Sequence, residues 1–463
     1  MLRLVSPDGR FGRREFLRIG GLGLGGLSLP GLLSVPSQAA ATRLTTGKSV
    51  IFLFLHGGPS QIETFDPKMT APDKIRSATG ELATRIPGVT FGGTFPKLAA
   101  LADKLTIVRS FTTGDGNHDI KPVVGRDSGG ANLGTLFSRV VGTNHPITGM
   151  PTNAALFPQS IDPGREPAQK NFGNFEATGG LGSAFAPFVP GAGGDLQKDL
   201  QLAIAADRLG DRRALLSELD RLRFTLDGAG SGAGLDRLRD QAFSTIIGGV
   251  AGAFDLSKED PRTVARYDTS TLMTPEQIDR KWNNYKMYVD NVKTLGKLLL
   301  LSRRLCEAGC GFVTVTTNFV WDNHADVNNT GVVEGMRYCG TPLDHAVSAF
   351  LEDVAERGLS DKILLVCCGE MGRTPRINQN GGRDHWGGLA PLLLAGGRYK
   401  MGQVIGRSTR DAGEPAGDAV RIPNLLATVM QTLFDVGELR VTRGVPAEVL
   451  RAATAADPIP GLA

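Results

Sequence analysis

Cysteine is scarce, with five in 463 residues. Cys306, Cys310, Cys339, Cys367 and Cys368 are too few and too unevenly placed for a disulfide framework. Cys306 and Cys310 lack two further ligands nearby for a zinc site, and Cys367 and Cys368 sit in an apolar run and read as core. No internal repeat and no long low-complexity tract is present, which excludes a repeat array. The Gly57-Gly58 pair lacks the Lys of a P-loop, so it is weak as a phosphate cradle. An excess of one charge is also missing where it matters. The formal net charge is +4, but residues 1–40 carry five arginines against Asp8 and Glu15. The remainder is then close to +1, and the pI of 8.8 does not indicate a nucleic-acid binder.

Long hydrophobic runs are nearly absent too. The one leader-like stretch, Ile19 to Val35, is interrupted by Gly and Pro, so no permanent membrane span is expected. It follows Arg13-Arg14-Glu15-Phe16-Leu17-Arg18, a twin-arginine pattern, and precedes the small residues Ser37, Ala39, Ala40 and Ala41. Residues 1–40 therefore read as a twin-arginine signal peptide, with the translocase as partner during export and a periplasmic or secreted destination. That route carries folded proteins and suits one that loads a metal before export.

Apolar runs that remain are short. Ser49 to Leu55, Lys104 to Arg109, Gly311 to Thr317, Ile363 to Cys368 and Pro391 to Ala395 read as strands. Helices are expected at Thr94 to Ala102, Asn132 to Val141, Leu343 to Arg357 and Arg421 to Phe434. Helical spacing also fills Asp195 to Phe224, Leu235 to Phe254 and Pro275 to Glu307, read as a helical insertion over about 195–309 in a domain spanning 41–463. Strands alternating with helices predict an α/β layered fold with a mostly parallel sheet.

Polar residues collect just after the strands. His56, His118 and His324 follow three of them, and His385 lies in the loop beyond the 363–368 strand. In a parallel sheet those ends share one edge, so the loops converge. Asp322 and His324, two apart in extended backbone, point to one side and can ligate one divalent ion. Glu370, His385 and His56 can join that shell, and Glu370 can instead act as a base. Arg373, Arg376 and Arg383 suit a doubly charged, oxygen-rich anion. A metal beside arginines is the equipment of ester hydrolysis. His145 and His345 read as structural, the latter beside a capping Asp344.

These residues fall in segments that resemble one family. FLFLHGGPSQIETFDP (52–67), the His118 loop, AFDLSKEDPRTVARY (253–267), SRRLCEAGCGFVTVT (302–316), VWDNH (320–324) and GEMGRTPRINQNGGRDHWGG (369–388) are similar to the exported bacterial family called domain of unknown function 1501. Its members are similar to the alkaline phosphatase and sulfatase superfamily. The resemblance implies an alkaline phosphatase-like three-layer α/β sandwich with a metal site at the strand ends. It places His56 at the first acidic ligand, Asp322 and His324 at one metal site, Glu370 and Met371 at an Asp-His pair, and His385 at the last histidine. Met371 is a poor ligand for a hard cation, and no Ser, Thr or Cys stands clearly at the nucleophile position, although Thr112 and Thr113 are near. His118 takes that place as nucleophile, general acid or base, or ligand. The expectation is an exported hydrolase of phosphate or sulfate esters, small or polymeric, using a divalent ion of zinc, calcium or magnesium type. The alternative is a non-catalytic envelope protein that binds sulfated or phosphorylated polymers.

Overall fold

The structure is a computed structural model that describes residues 43–191 and 250–462. The expected leader (residues 1–40) and residues 195–249 of the expected insertion lie outside the described residues. Seven strands form the main sheet: β1 (Ser49–Phe54), β2 (Thr106–Val108), β3 (Asn153–Leu156), β4 (Phe312–Val315), β5 (Ile363–Cys368), β6 (Leu392–Gly396) and β7 (Gln403–Ile405). Their spatial order is β7-β2-β6-β5-β1-β4-β3. β1 lies in the interior beside the middle strand β5, parallel to β4 and to β5, the latter in the register Phe54↔Cys368. β6 alone runs antiparallel, between β5 and β2.

The five expected strands are all present. β3 and β7 were not legible: β3 lies in a Pro- and Gly-rich stretch that reads as irregular, and β7 is a three-residue edge strand. The order of the sheet explains the apolar runs. A central parallel strand is covered on both faces, so it shows no polar alternation. In β1, Ile51 and Leu53 enter one core, and Val50, Phe52 and Phe54 enter the other. This follows from side chains alternating across the pleat.

The first core is closed by α2 (Tyr285–Glu307) and α3 (Thr341–Glu356). The second is closed by α1 (Leu133–Val141), α4 (Ile422–Leu433) and α5 (Ala447–Thr454). The result is a three-layer α/β sandwich with a mostly parallel central sheet. Asn132 caps α1 through its side chain, accepting from the Gly134 N–H. The Pro275–Glu307 helix begins later than its spacing predicts. Pro275–Gln277 is a single 3₁₀ turn, and the N–H groups of Asn283 and Asn284 bond to Val327 O and Asn328 O. Those donors tie down the 326–329 loop instead of extending the helix. Tyr288, Val292, Leu295 and Leu299 of α2 pack in the same core as Ile51 and Val313, so α2 is a layer of the sandwich.

The antiparallel sense of β6 matters for the site. Leu392, its first residue, pairs with Cys368, the last residue of β5. Residues 369–391 therefore leave and rejoin the sheet at the edge where β1, β2 and β4 also end. Among the described residues, no helix is long and apolar enough to cross a membrane.

Candidate functional site

Four loops meet at this edge. The turn after β1 lies directly on the loop after β4: Val320 and Trp321 donate their N–H groups to His56 O. Gly57 sits between them with φ +111°, and a Cβ there would stand 2.6 Å from Asp322 N. Only glycine fits that contact. The Gly57 N–H donates to both carboxylate oxygens of Glu370, at 2.9 and 3.2 Å, and so fixes the loop after β5.

The segment 369–391 delivers two groups together. Gly372–Arg373 and His385–Trp386 form a small antiparallel ribbon in which Arg373 faces His385. Directly paired residues project to one side of a ribbon. Both reach Asp322 Oδ1: the Arg373 guanidinium donates to it at 2.7 Å, and His385 Nε2 lies 3.2 Å away. His118 completes the group. Its Nε2 is 3.0 Å from His385 Nε2 and 3.4 Å from Asp322 Oδ1, and its Nδ1 is 3.1 Å from Glu370 Oε1. His324 meets the other carboxylate oxygen, with Nε2 3.0 Å from Asp322 Oδ2, where Asn329 Nδ2 also donates at 3.1 Å.

Exposure falls steadily inward. The His385, His324 and His118 side chains are 37%, 22% and 12% exposed, while Asp322, Arg373 and Glu370 are buried. Burial works against an ionised Asp322. The Arg373 charge and hydrogen bonds from His118, His324 and His385 outweigh it and hold the carboxyl well below the usual range. Burial also opposes a charge on His118, but Asp322 and Glu370 raise its pKa above the ordinary value. The His324 pKa is raised by its hydrogen bond to Asp322, against burial.

His118, Asp322 and His385 each offer one donor atom, and the three lie within 4.8 Å of one another. Their separations of 3.0, 3.2 and 3.4 Å bracket the edge of a tetrahedron with ligands at about 2.0–2.1 Å, which is about 3.3 Å. Two imidazole nitrogens and one carboxylate oxygen also suit a divalent cation chemically. Glu370 stands behind His118. When a cation replaces the Nε2 proton, Nδ1–H stays donated to Glu370 and the Nε2 lone pair would face the cation beside the other two donors.

Several expected site residues have other positions. His56 is buried with neither ring nitrogen hydrogen-bonded, and it packs against Phe54, Phe172, Phe175 and Phe319. It does not join the three-donor group. Burial lowers its pKa to about 4 despite the nearby Glu370 charge. His324 reaches Asp322 but not the group around Oδ1. Arg383 is fully buried. Its guanidinium donates to Glu63 Oε1 at 2.8 and 3.0 Å and to the carbonyls of Thr374, Pro375, Ile75 and Arg76. Those bonds commit it to fastening loops, not to an external anion. Arg373 is spent likewise on Asp322, Gly58 O, Gly57 O and Arg383 O. Arg376 is exposed and makes no ion pair among the described residues. Asp344 caps not its own helix but Pro96–Ala100, accepting from Lys97 N and Leu98 N.

Sequence reasoning missed Asn329, which holds Asp322, and the Phe172 and Phe319 rings beside His118. An Asn seven residues beyond an Asp follows no ligand-spacing rule, and Phe172 lies in the irregular stretch.

No curated protein matches the chain in sequence. Among solved structures the chain is similar to the PsFucS1 sulfatase from Pseudoalteromonas sp., at 11% identity and a TM-score of 0.35, over 87% of this chain and 70% of that one. It is similar to the phosphonate monoester hydrolase of Agrobacterium radiobacter at 10% identity and a TM-score of 0.29, over 83% and 73%. It is also similar to a magnesium-bound mutant of TAB5 alkaline phosphatase at 10% identity and a TM-score of 0.26, over 78% and 95%. Residues 47–444 match the family described as "Protein of unknown function (DUF1501)", and the chain belongs to that family.

Proposed function

We propose that the protein is an exported, metal-dependent hydrolase of phosphate or sulfate monoesters, formed by residues 41–463 after removal of a twin-arginine leader. The observation that carries this reading is the convergence of His118, Asp322 and His385 at tetrahedral-edge distances on the strand-end side of the sheet. These three hold the cation. Glu370 orients His118, and Arg373 and Asn329 orient Asp322 and balance its charge. His56, Arg383 and Arg373 support the site rather than bind the anion.

A bound divalent cation would lower the pKa of water and stabilise an ester oxyanion. His324, partly exposed and hydrogen-bonded to Asp322 Oδ2, would serve as general acid for the departing alcohol. Three ligands from buried or half-buried loops leave the His385 side open to solvent for substrate.

The test is metal analysis of the full exported chain with assays on aryl phosphates and sulfates. One cation per chain, lost in Asp322→Asn, together with metal-dependent turnover, is expected. A metal-free protein inactive with every added divalent ion overturns the reading.

One observation favours a second reading, a non-catalytic protein that binds sulfated or phosphorylated polymers. The nearby hydroxyls are committed to backbone: Thr112 Oγ1 donates to Gly387 O at 2.8 Å, and Thr113 Oγ1 to Asp115 O at 3.5 Å. Metal-dependent anion binding without turnover is the outcome that selects it.

A further inference from the structure

Beside the polar donors the site has an aromatic flank. Phe172 and Phe319 stack with ring centroids 4.5 Å apart and planes 27° from parallel. The His118 ring lies against both, 5.0 Å from Phe172 and 4.6 Å from Phe319. Behind them, His56 is buried edge-on to Phe172, Phe175 and Phe319. Phe319, Phe175 and His56 are buried, whereas Phe172 is half-buried, so it carries the aromatic surface outward.

Phe172 is held by contacts with Phe319 and His118, and the backbone after it is close-packed: a Cβ at Gly173 would stand 2.5 Å from the Ile120 side chain. The ring lies next to His118, whose Nε2 belongs to the three-donor group. An aromatic ring bordering a charged centre is suited to a ligand with one charged end and one flat apolar end.

We infer that Phe172, backed by Phe319, is the subsite for the organic part of the ester, and that the preferred alcohol carries a flat apolar ring adjoining the ester oxygen. This rests on the reading of the His118–Asp322–His385 group as an anion-binding metal centre. Phe172 determines specificity and is not catalytic.

The test uses two non-hydrolysable probes, phenylphosphonate and methylphosphonate. Each is titrated by calorimetry into the full chain loaded with whichever of zinc, magnesium or calcium it retains. The parent should bind phenylphosphonate about tenfold more tightly, a preference of the size expected for one stacked ring. Phe172→Ala should bring the two affinities within about twofold by loosening phenylphosphonate alone. Phe172→Leu keeps the apolar volume, removes the flat face and should lie between; it also serves if the alanine variant does not fold. Equal affinities in the parent, or an unchanged ratio in both variants, overturn the aromatic subsite and leave the metal centre intact. Failure of both probes to bind the metal-loaded parent overturns the metal-centre reading, and the subsite with it.

Discussion

Replacing Arg383 with Met separates two roles for the arginines of the 369–388 motif. Arg383 is buried with its charge paired to Glu63, which is itself buried. Glu63 has other donors, Ser77 Oγ at 2.8 Å and Ala78 N at 3.0 and 3.2 Å, but no other cation within ion-pair distance among the described residues. Met fills much of the space and removes the charge, so it strands a carboxylate in the interior. Breaking such a pair from one side costs about 3–5 kcal/mol. For the roughly 360 described residues the unfolding entropy is about 0.8 kcal/mol per kelvin, so Tm should fall by about 4–7 °C. The assay is thermal and urea unfolding with chelator present, which keeps metal binding out of the comparison. Glu63→Leu combined with Arg383→Met removes both charges and should lose less than Arg383→Met alone. Unchanged stability in Arg383→Met, with weakened phosphate binding in the metal-loaded protein, would refute the structural role and return Arg383 to the anion.

Four further outcomes are expected. Ala325 follows His324 with φ +61°, so Ala325→Gly should raise stability by about 1 kcal/mol in urea unfolding. Gly57→Ala should cost more than about 2 kcal/mol and also reduce bound metal, because its Cβ would collide with Asp322 N; full metal occupancy in a stable variant would contradict the close contact. His56 has a folded pKa of about 4 against an ordinary 6.5, owing to burial. Its contribution to stability is full above pH 6.5 and is lost as pH falls towards 4, by about 3 kcal/mol in metal-free protein; His56→Phe should flatten that part of the stability–pH curve. Saturating the retained cation at 100 times its Kd should stabilise the protein by about 2.7 kcal/mol, read as a rise in Tm that Asp322→Asn abolishes.

The sequence carried the sheet well where burial was two-sided. Ser49–Phe54 and Ile363–Cys368 are apolar at nearly every position because both faces are covered, and no other element of that length reads so plainly. The convergence of His118, Asp322, His324 and His385 was legible for the same reason, since parallel strands place their following loops together. What the strand pattern does not contain is direction. Leu392–Gly396 reads the same whichever way it runs, and only pairing with Cys368 and Val108 fixes it as antiparallel. Arginine roles were also hidden. A guanidinium that binds a ligand and one that fastens loops have the same local sequence, and the deciding partner of Arg383, Glu63, lies more than 300 positions away. His56 shows the converse: its place after β1 is that of a ligand, but of the rings around it Phe172 and Phe175 come from a stretch with no readable periodicity.

The reversed strand has a consequence for how this protein can change. Because Cys368 and Leu392 are paired neighbours in the sheet, everything between them is an excursion with a shared doorway. A connection between parallel strands must cross to the opposite edge, and its length is tied to that journey. The 369–391 excursion has no such obligation. Its exposed tip, residues 379–381, can be lengthened or shortened while the order and register of the sheet stay as they are. Its two buried arms are held by Gly57, Gln61 and Glu63 through Glu370, Arg373 and Arg383, so variation is directed to the tip and away from the ribbon that delivers Arg373 and His385.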